Sequence, residues 1–185
     1  MVQPLREELT TAVKEHGWSR DGLAKMPLLD SFMKEVSRVN PSLAASMGRY
    51  CLKNITLSSG LTMPRGTKFL VAGTFWDAAV YPEPEKFDAY RFIKLREAAV
   101  AVGSSPNDYL FTTTTPEHMG FGYGIHSCPG RFMGNTELKI ALAFLLLKYD
   151  WRLENGPTFR TFAVATTVHP GCRVSYRKRE CEMPL

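Results

Sequence analysis

Phe121-Gly-Tyr-Gly-Ile-His-Ser-Cys128-Pro-Gly-Arg-Phe132 puts one cysteine between a glycine-shaped turn and the start of a helix. Gly122 and Gly124 permit a tight backbone path that a side chain would block. Pro129 suits the first position of a helix, because its missing N–H would have no partner there anyway. From Arg131 a helical segment is expected to run to about Lys148, with no proline and no glycine beyond Gly134. Cys128 is therefore expected at a helix N-terminus, where free N–H groups and the macrodipole favour a thiolate over a thiol. A lone ionised sulfur on such a loop is built either to attack or to bind a soft metal. The plain alternative is a buried structural cysteine in a Gly-rich turn.

A cysteine thiolate is one of the axial ligands that hold haem iron. The stretch resembles the haem-ligand loop of the cytochrome P-450 family, F-x-x-G-x-(H or R)-x-C-x-G, in the Cys-Pro-Gly-Arg-Phe form common among fungal enzymes. The resemblance implies that Cys128 is the axial ligand and that Phe121 packs near its sulfur. It also implies that His126 stands where the family sets a cation against a haem propionate, and that Gly130 lets the helix approach the ring.

Composition sets wide bounds. The 185 residues are 44% hydrophobic and 11% aromatic, enough for a sizeable core, and one region spanning 1–185 is the default. A net charge of +5 without a basic stripe does not point to nucleic acid. Cys51, Cys128, Cys172 and Cys181 form no CxxC pair, so a reduced, intracellular chain is expected. The longest apolar run, Ile140 to Leu147, is far short of a bilayer span, and the first ten residues lack a signal-peptide core.

Helical spacing predicts an amphipathic helix over Pro4–His16, stopped by Gly17, and a second opened by Pro27 and ended by Asn40-Pro41. Glu35 and Arg38, three apart, share one face of the second helix. Alone, such a pair is common on solvated helix surfaces. Here it resembles the family's E-x-x-R on the K helix, and Arg91 in Phe87-Asp-Ala-Tyr-Arg91-Phe92 matches the arginine of the meander before the cysteine loop. The resemblance implies a partly buried Glu35–Arg38–Arg91 network that locks meander and loop in place without performing chemistry.

A strand is expected over Met47–Leu57, broken at Lys53-Asn54, then turns at Ser58–Gly60 and Arg65-Gly66, and a strand over Lys68–Thr74. Arg49 falls where many family members place a propionate arginine; an exposed strand residue is the alternative. Pro41–Ser46 corresponds to a segment that in the family crosses above the haem and touches substrate. A short helix is expected at Trp76-Asp77, and Gly103–His118 reads as an exposed connection whose Thr112–Thr115 run is loop. The helix from Arg131 is apolar almost all round and is expected to be buried. Trp151–Leu153, Phe159–Val168 and Val174–Tyr176 read as closing strands, with Thr166, Thr167 and Val168 as candidates for the substrate-facing hairpin tip. Arg177–Glu180 reads as a solvated charge run.

The fold class expected is thus mainly α with small β-sheets (α+β), matching the C-terminal part of the cytochrome P-450 fold. The resemblance implies a truncated domain lacking the N-terminal membrane anchor and the central oxygen-activating helix. It implies haem as cofactor and insertion of one oxygen atom from O2 into a small apolar molecule, in fungal secondary metabolism. Electrons would come from NADPH through a flavoprotein reductase docking on a basic proximal face. The parent family sits on the cytosolic face of the endoplasmic reticulum; without an anchor the chain alone is expected in the cytoplasm. With no proton relay, little or no turnover is expected of it. The alternative is a non-catalytic remnant with weak or no haem binding. A cysteine hydrolase using Cys128 and His126 lacks an orienting carboxylate or asparagine, and a zinc site lacks a second ligand pair.

Overall fold

Leu5, Leu9 and Ala12 lie buried on one face of α1 (Val2–His16), which Gly17 ends at φ 64°. The computed structural model describes residues 1–180; Cys181 lies outside them. A short helix, α2 (Arg20–Ala24), follows between the two expected helices: the Ser19 hydroxyl accepts from the Gly22 N–H at 3.0 Å and caps it. Helix α3 (Pro27–Val39) starts with its proline in the first turn. The Leu28 and Leu29 N–H groups donate to the Glu8 carboxylate of α1 at 2.7 and 2.8 Å, satisfying two of the orphan donors at that end.

Four short strands follow: β1 (Ala45–Tyr50), β2 (Ile55–Thr56), β3 (Thr62–Met63) and β4 (Lys68–Ala72). They pair as β1–β4 and β2–β3, both antiparallel. The expected strand Met47–Leu57 is divided, because the Cys51 N–H bonds Thr67 O and its carbonyl takes the Gly66 N–H before the chain turns at Lys53-Asn54. No helix forms at Trp76-Asp77. Asp77 O accepts from both Val80 and Tyr81, and then Pro82 and Pro84, which lack N–H donors, stop any further turn. Arg91 instead opens an unforeseen helix, α4 (Arg91–Ala101), burying Phe92 and Ala99.

The connection 103–118 is only in part the exposed loop expected. Phe111 and His118 are buried, because Lys34 of α3 reaches into it and donates to the Asp108, Leu110 and Thr113 carbonyls at 3.2, 2.7 and 3.3 Å. The Thr112–Thr115 run is loop, as expected.

Helix α5 (Arg131–Lys148) has the expected span but not the expected burial. Lys139, Ala143 and Leu147, spaced by four, form its buried line, while Leu138, Ile140 and Phe144 are 42–47% exposed. An all-round apolar helix needs partners on several sides; among the described residues α5 packs on α1 and α2 along one. The chain closes with β5 (Tyr149–Leu153), β6 (Phe159–Phe162), β7 (Ala165–Val168) and β8 (Val174–Lys178), paired β5–β8 and β6–β7. Arg177 therefore lies within a strand, and with Arg179 it faces Asp150 at 3.1 and 3.4 Å. The core joins Leu5 and Leu9 of α1 to Leu28, Leu29 and Met33 of α3 and to Ala143 and Leu147 of α5.

Candidate functional site

Helix α3 buries its polar side as well as its apolar one. Glu35 and Arg38 are both 0% exposed. Arg38 Nε and Nη2 donate to the two Glu35 carboxylate oxygens at 2.8 and 2.9 Å, a bidentate pair. Arg91, at the first position of α4, adds its Nε at 3.1 Å, and the Asp88 N–H donates at 2.9 Å. Burial alone would push the Glu35 carboxyl up, but these hydrogen bonds outweigh it and hold the group below its ordinary value. The remaining guanidinium N–H groups are spent on loop carbonyls. Arg38 binds Phe75 O and Pro84 O, and Arg91 binds Pro82 O and Lys86 O. Three charges thus pin a loop otherwise short of partners, and the network is more deeply buried than expected.

A second polar cluster, missed in the sequence, is built around Lys34, the neighbour of Glu35 on α3. Burial lowers the Lys34 ammonium to about 7, against the opposing pull of Asp30 and Asp108. His118 stands edge-on to Phe75 and Phe92 with centroids 5.9 Å away in each case. Burial, helped by the charges of Lys34 and Arg38, lowers it to about 3, so it is neutral across the physiological range. The only signal for either residue was its place: Lys34 beside Glu35, and His118 just before the cysteine loop.

The loop itself is held by its backbone. Cys128 N–H donates to Phe121 O at 2.7 Å, and Ser127 N–H to Gly124 O at 3.0 Å. Gly122 has φ 75°, and a Cβ there would stand 3.1 Å from His126 O. Pro129 falls in the turn just before α5 rather than at its first position, and Gly130 is the cap. A Cβ on Gly130 would stand 4.0 Å from the Cys128 sulfur. Arg131 ties the loop backward, donating to Thr112 O at 3.0 Å and Cys128 O at 2.9 Å. The thiol is left exposed.

Cys128, Phe121, His126 and Arg49 line one cavity of about 680 Å³, together with Ser46 and Met47. Arg49 projects from β1 and is half-buried, its guanidinium donating to Gly48 O at 2.8 Å. The roof is also tied together: Ala44 N–H donates to Val164 O at 2.7 Å, and Thr166 N–H to Ser42 O at 3.0 Å. The turn of the β6–β7 hairpin is Ala163-Val164, so Thr166, Thr167 and Val168 run along β7 and do not form its tip. Of those three, Thr166 reaches the 42–44 segment, through its backbone.

Among the described residues no three His, Cys, Asp or Glu side chains gather as a metal cage. A metal at Cys128 must therefore bring its other ligands with it. One soft sulfur donor in a mostly apolar cavity with an arginine and a histidine on its wall suits a flat, anionic group carrying its own metal. This donor set fits haem: Cys128 would face the iron, and Arg49 and His126 would lie within the same cavity for its carboxylates.

Such a loop, following a buried Glu–Arg–Arg lock in the chain, fits the class of thiolate-ligated haem proteins. The chain belongs to the cytochrome P-450 family, whose profile matches residues 1–169. It is 47% identical over 154 residues to cytochrome P-450 monooxygenase cle4 of Aspergillus versicolor, covering 83% of this chain and 31% of that protein. To monooxygenase ntnM of a Nectria species it is 41% identical over 182 residues, covering 97% of this chain and 34% of the relative. The chain thus spans about a third of the length of these curated relatives. A retinoic acid-bound cyanobacterial structure, CYP120A1, shares the fold with a TM-score of 0.70 at 24% identity, covering 96% of this chain and 39% of that one. Among the described residues no helix is long and apolar enough to cross a membrane.

Proposed function

We propose that this region is the haem-binding part of a monooxygenase that inserts one atom of O2 into a small apolar molecule, in fungal secondary metabolism. The second oxygen atom leaves as water, with two electrons drawn from NADPH through a flavoprotein reductase and two protons. The observation that carries the reading is the exposed Cys128 thiol opening onto the same cavity as Arg49 and His126. Haem, when bound, supplies the oxygen-activating chemistry.

The chain's own residues bind and orient. Cys128 offers its sulfur, and the Phe121 carbonyl and Arg131 keep the loop from closing over it. His126 and Arg49 would hold the carboxylates of the group, Phe121 would line the cavity beside the sulfur, and Gly130, without a side chain, keeps the approach clear. Glu35, Arg38 and Arg91 fix the meander behind the loop and touch no reacting atom. Residues 1–180 form one such region, and the exposed apolar flank of α5 favours a second reading in which the chain alone binds haem weakly.

One spectrum separates the two readings. Dithionite-reduced, haem-supplemented protein under carbon monoxide is expected to show the strongly red-shifted Soret band of thiolate-bound iron. Cys128→Ser is expected to lose that band while keeping its circular dichroism. A wild type without the band, or a Ser variant that retains it, overturns the assignment.

A further inference from the structure

Buried charge is costly unless paired, so a buried ion pair outside the Glu35 network calls for an account. Asp30 of α3 and Lys139 of α5 are 7% and 4% exposed, and their charged groups meet at 3.0 Å. Lys139 also donates to Leu23 O of α2 at 3.1 Å. Asp30 spends its other oxygen on the Phe111 N–H, at 2.9 Å. The Phe111 ring stands edge-on to Phe121, with centroids 5.2 Å apart, and the Phe121 carbonyl accepts the Cys128 N–H. A continuous chain of contacts therefore runs from Lys139 through Asp30, Phe111 and Phe121 to the sulfur-bearing residue. Its first member lies on α5, the helix that Cys128 precedes.

We propose that Asp30 and Lys139 are positioning residues for Cys128: their ion pair holds Phe111 against Phe121 and so sets the cysteine loop against α3. This rests on the haem-thiolate reading above for its purpose, while the mechanical coupling stands on the contacts alone. The Glu35 network pins residues 75–91, whereas this pair acts on 111–128, so the two devices are separable.

Amide hydrogen exchange of the full chain, without haem, tests the coupling. Lys139→Met strands the carboxylate; Asp30→Asn removes the charge but keeps shape and an acceptor. In both variants the Phe111 and Cys128 amides are expected to exchange faster by about tenfold or more, on the scale of one charged hydrogen bond. Amides of the β5–β8 ladder and of Asp88 should be unchanged. Uniformly faster exchange across all elements, or no change at Phe111 and Cys128, overturns the proposal.

With haem, both variants should convert part of the carbon monoxide complex from the thiolate band to one typical of a neutral ligand. An undiminished thiolate band in both variants also overturns it. If the wild type shows no thiolate band, the haem reading falls, and the exchange contrast alone decides the coupling.

Discussion

Glu35→Gln removes the anion shared by two buried guanidiniums while keeping the shape of the side chain. Glu35 is fully buried and accepts from Arg38 Nε, Arg38 Nη2, Arg91 Nε and the Asp88 N–H, all between 2.8 and 3.2 Å. A glutamine keeps one acceptor oxygen but turns an NH2 toward donors, leaving both cations uncompensated. Removing one partner of a buried ion pair costs ~3–5 kcal/mol, a large share of the ~5–15 kcal/mol by which a domain is stable. Glutamine should fall near the lower figure and alanine near the upper. With a urea slope of about 2 kcal/mol per M, a loss of about 3 kcal/mol lowers the midpoint by about 1.5 M. Far-UV circular dichroism during urea unfolding reads this directly.

The sign of the pH dependence follows from the folded-state carboxyl lying below its ordinary value. Its stabilisation is complete above about pH 4.3, the unfolded value, and is lost as pH falls through the folded one. The gap between wild type and Glu35→Gln should therefore narrow in acid. An unchanged midpoint at pH 7 would refute the claim that this network bears on stability.

Lys34→Met removes the donor to the Asp108, Leu110 and Thr113 carbonyls and should cost about 1–3 kcal/mol at pH 9. Because burial holds folded Lys34 near 7, the unfolded chain binds more protons between pH 7 and about 10. Wild-type stability should rise over that window, and the Met variant should lose the rise; parallel urea curves at pH 7 and 9 check it. Gly122→Ala places a Cβ at φ 75°, 3.1 Å from His126 O, and should cost more than the ~1–2 kcal/mol of a left-handed residue alone. Gly60→Ala, at φ 85° with nothing near its Cβ, is the control that should show only that backbone cost. Equal losses in the two would mean the cysteine turn is no tighter than an open hairpin.

While Arg91 was reached only through the family resemblance, residue order alone made the cysteine loop, the Glu35–Arg38 pair and the spans of α1, α3 and α5 legible. These rest on short-range spacing: three residues put Glu35 and Arg38 on one face, and Pro27 and Gly17 mark helix ends by their own dihedrals. Periodicity misled where contact came from afar. Lys34 lies outside the apolar stripe and carried no signal of its own, yet it is buried under carbonyls more than 70 residues onward. Lys139 interrupts an apolar run and gave no hint of Asp30, 109 positions earlier in the chain (139 minus 30). The all-round apolar pattern of α5 foretold burial on every side, but a helix is covered only where other elements meet it, and here that is one line of residues. Local spacing determines which face a side chain occupies. Only the tertiary structure decides what that face meets, because desolvation and ion pairing depend on atoms brought together from across the whole chain.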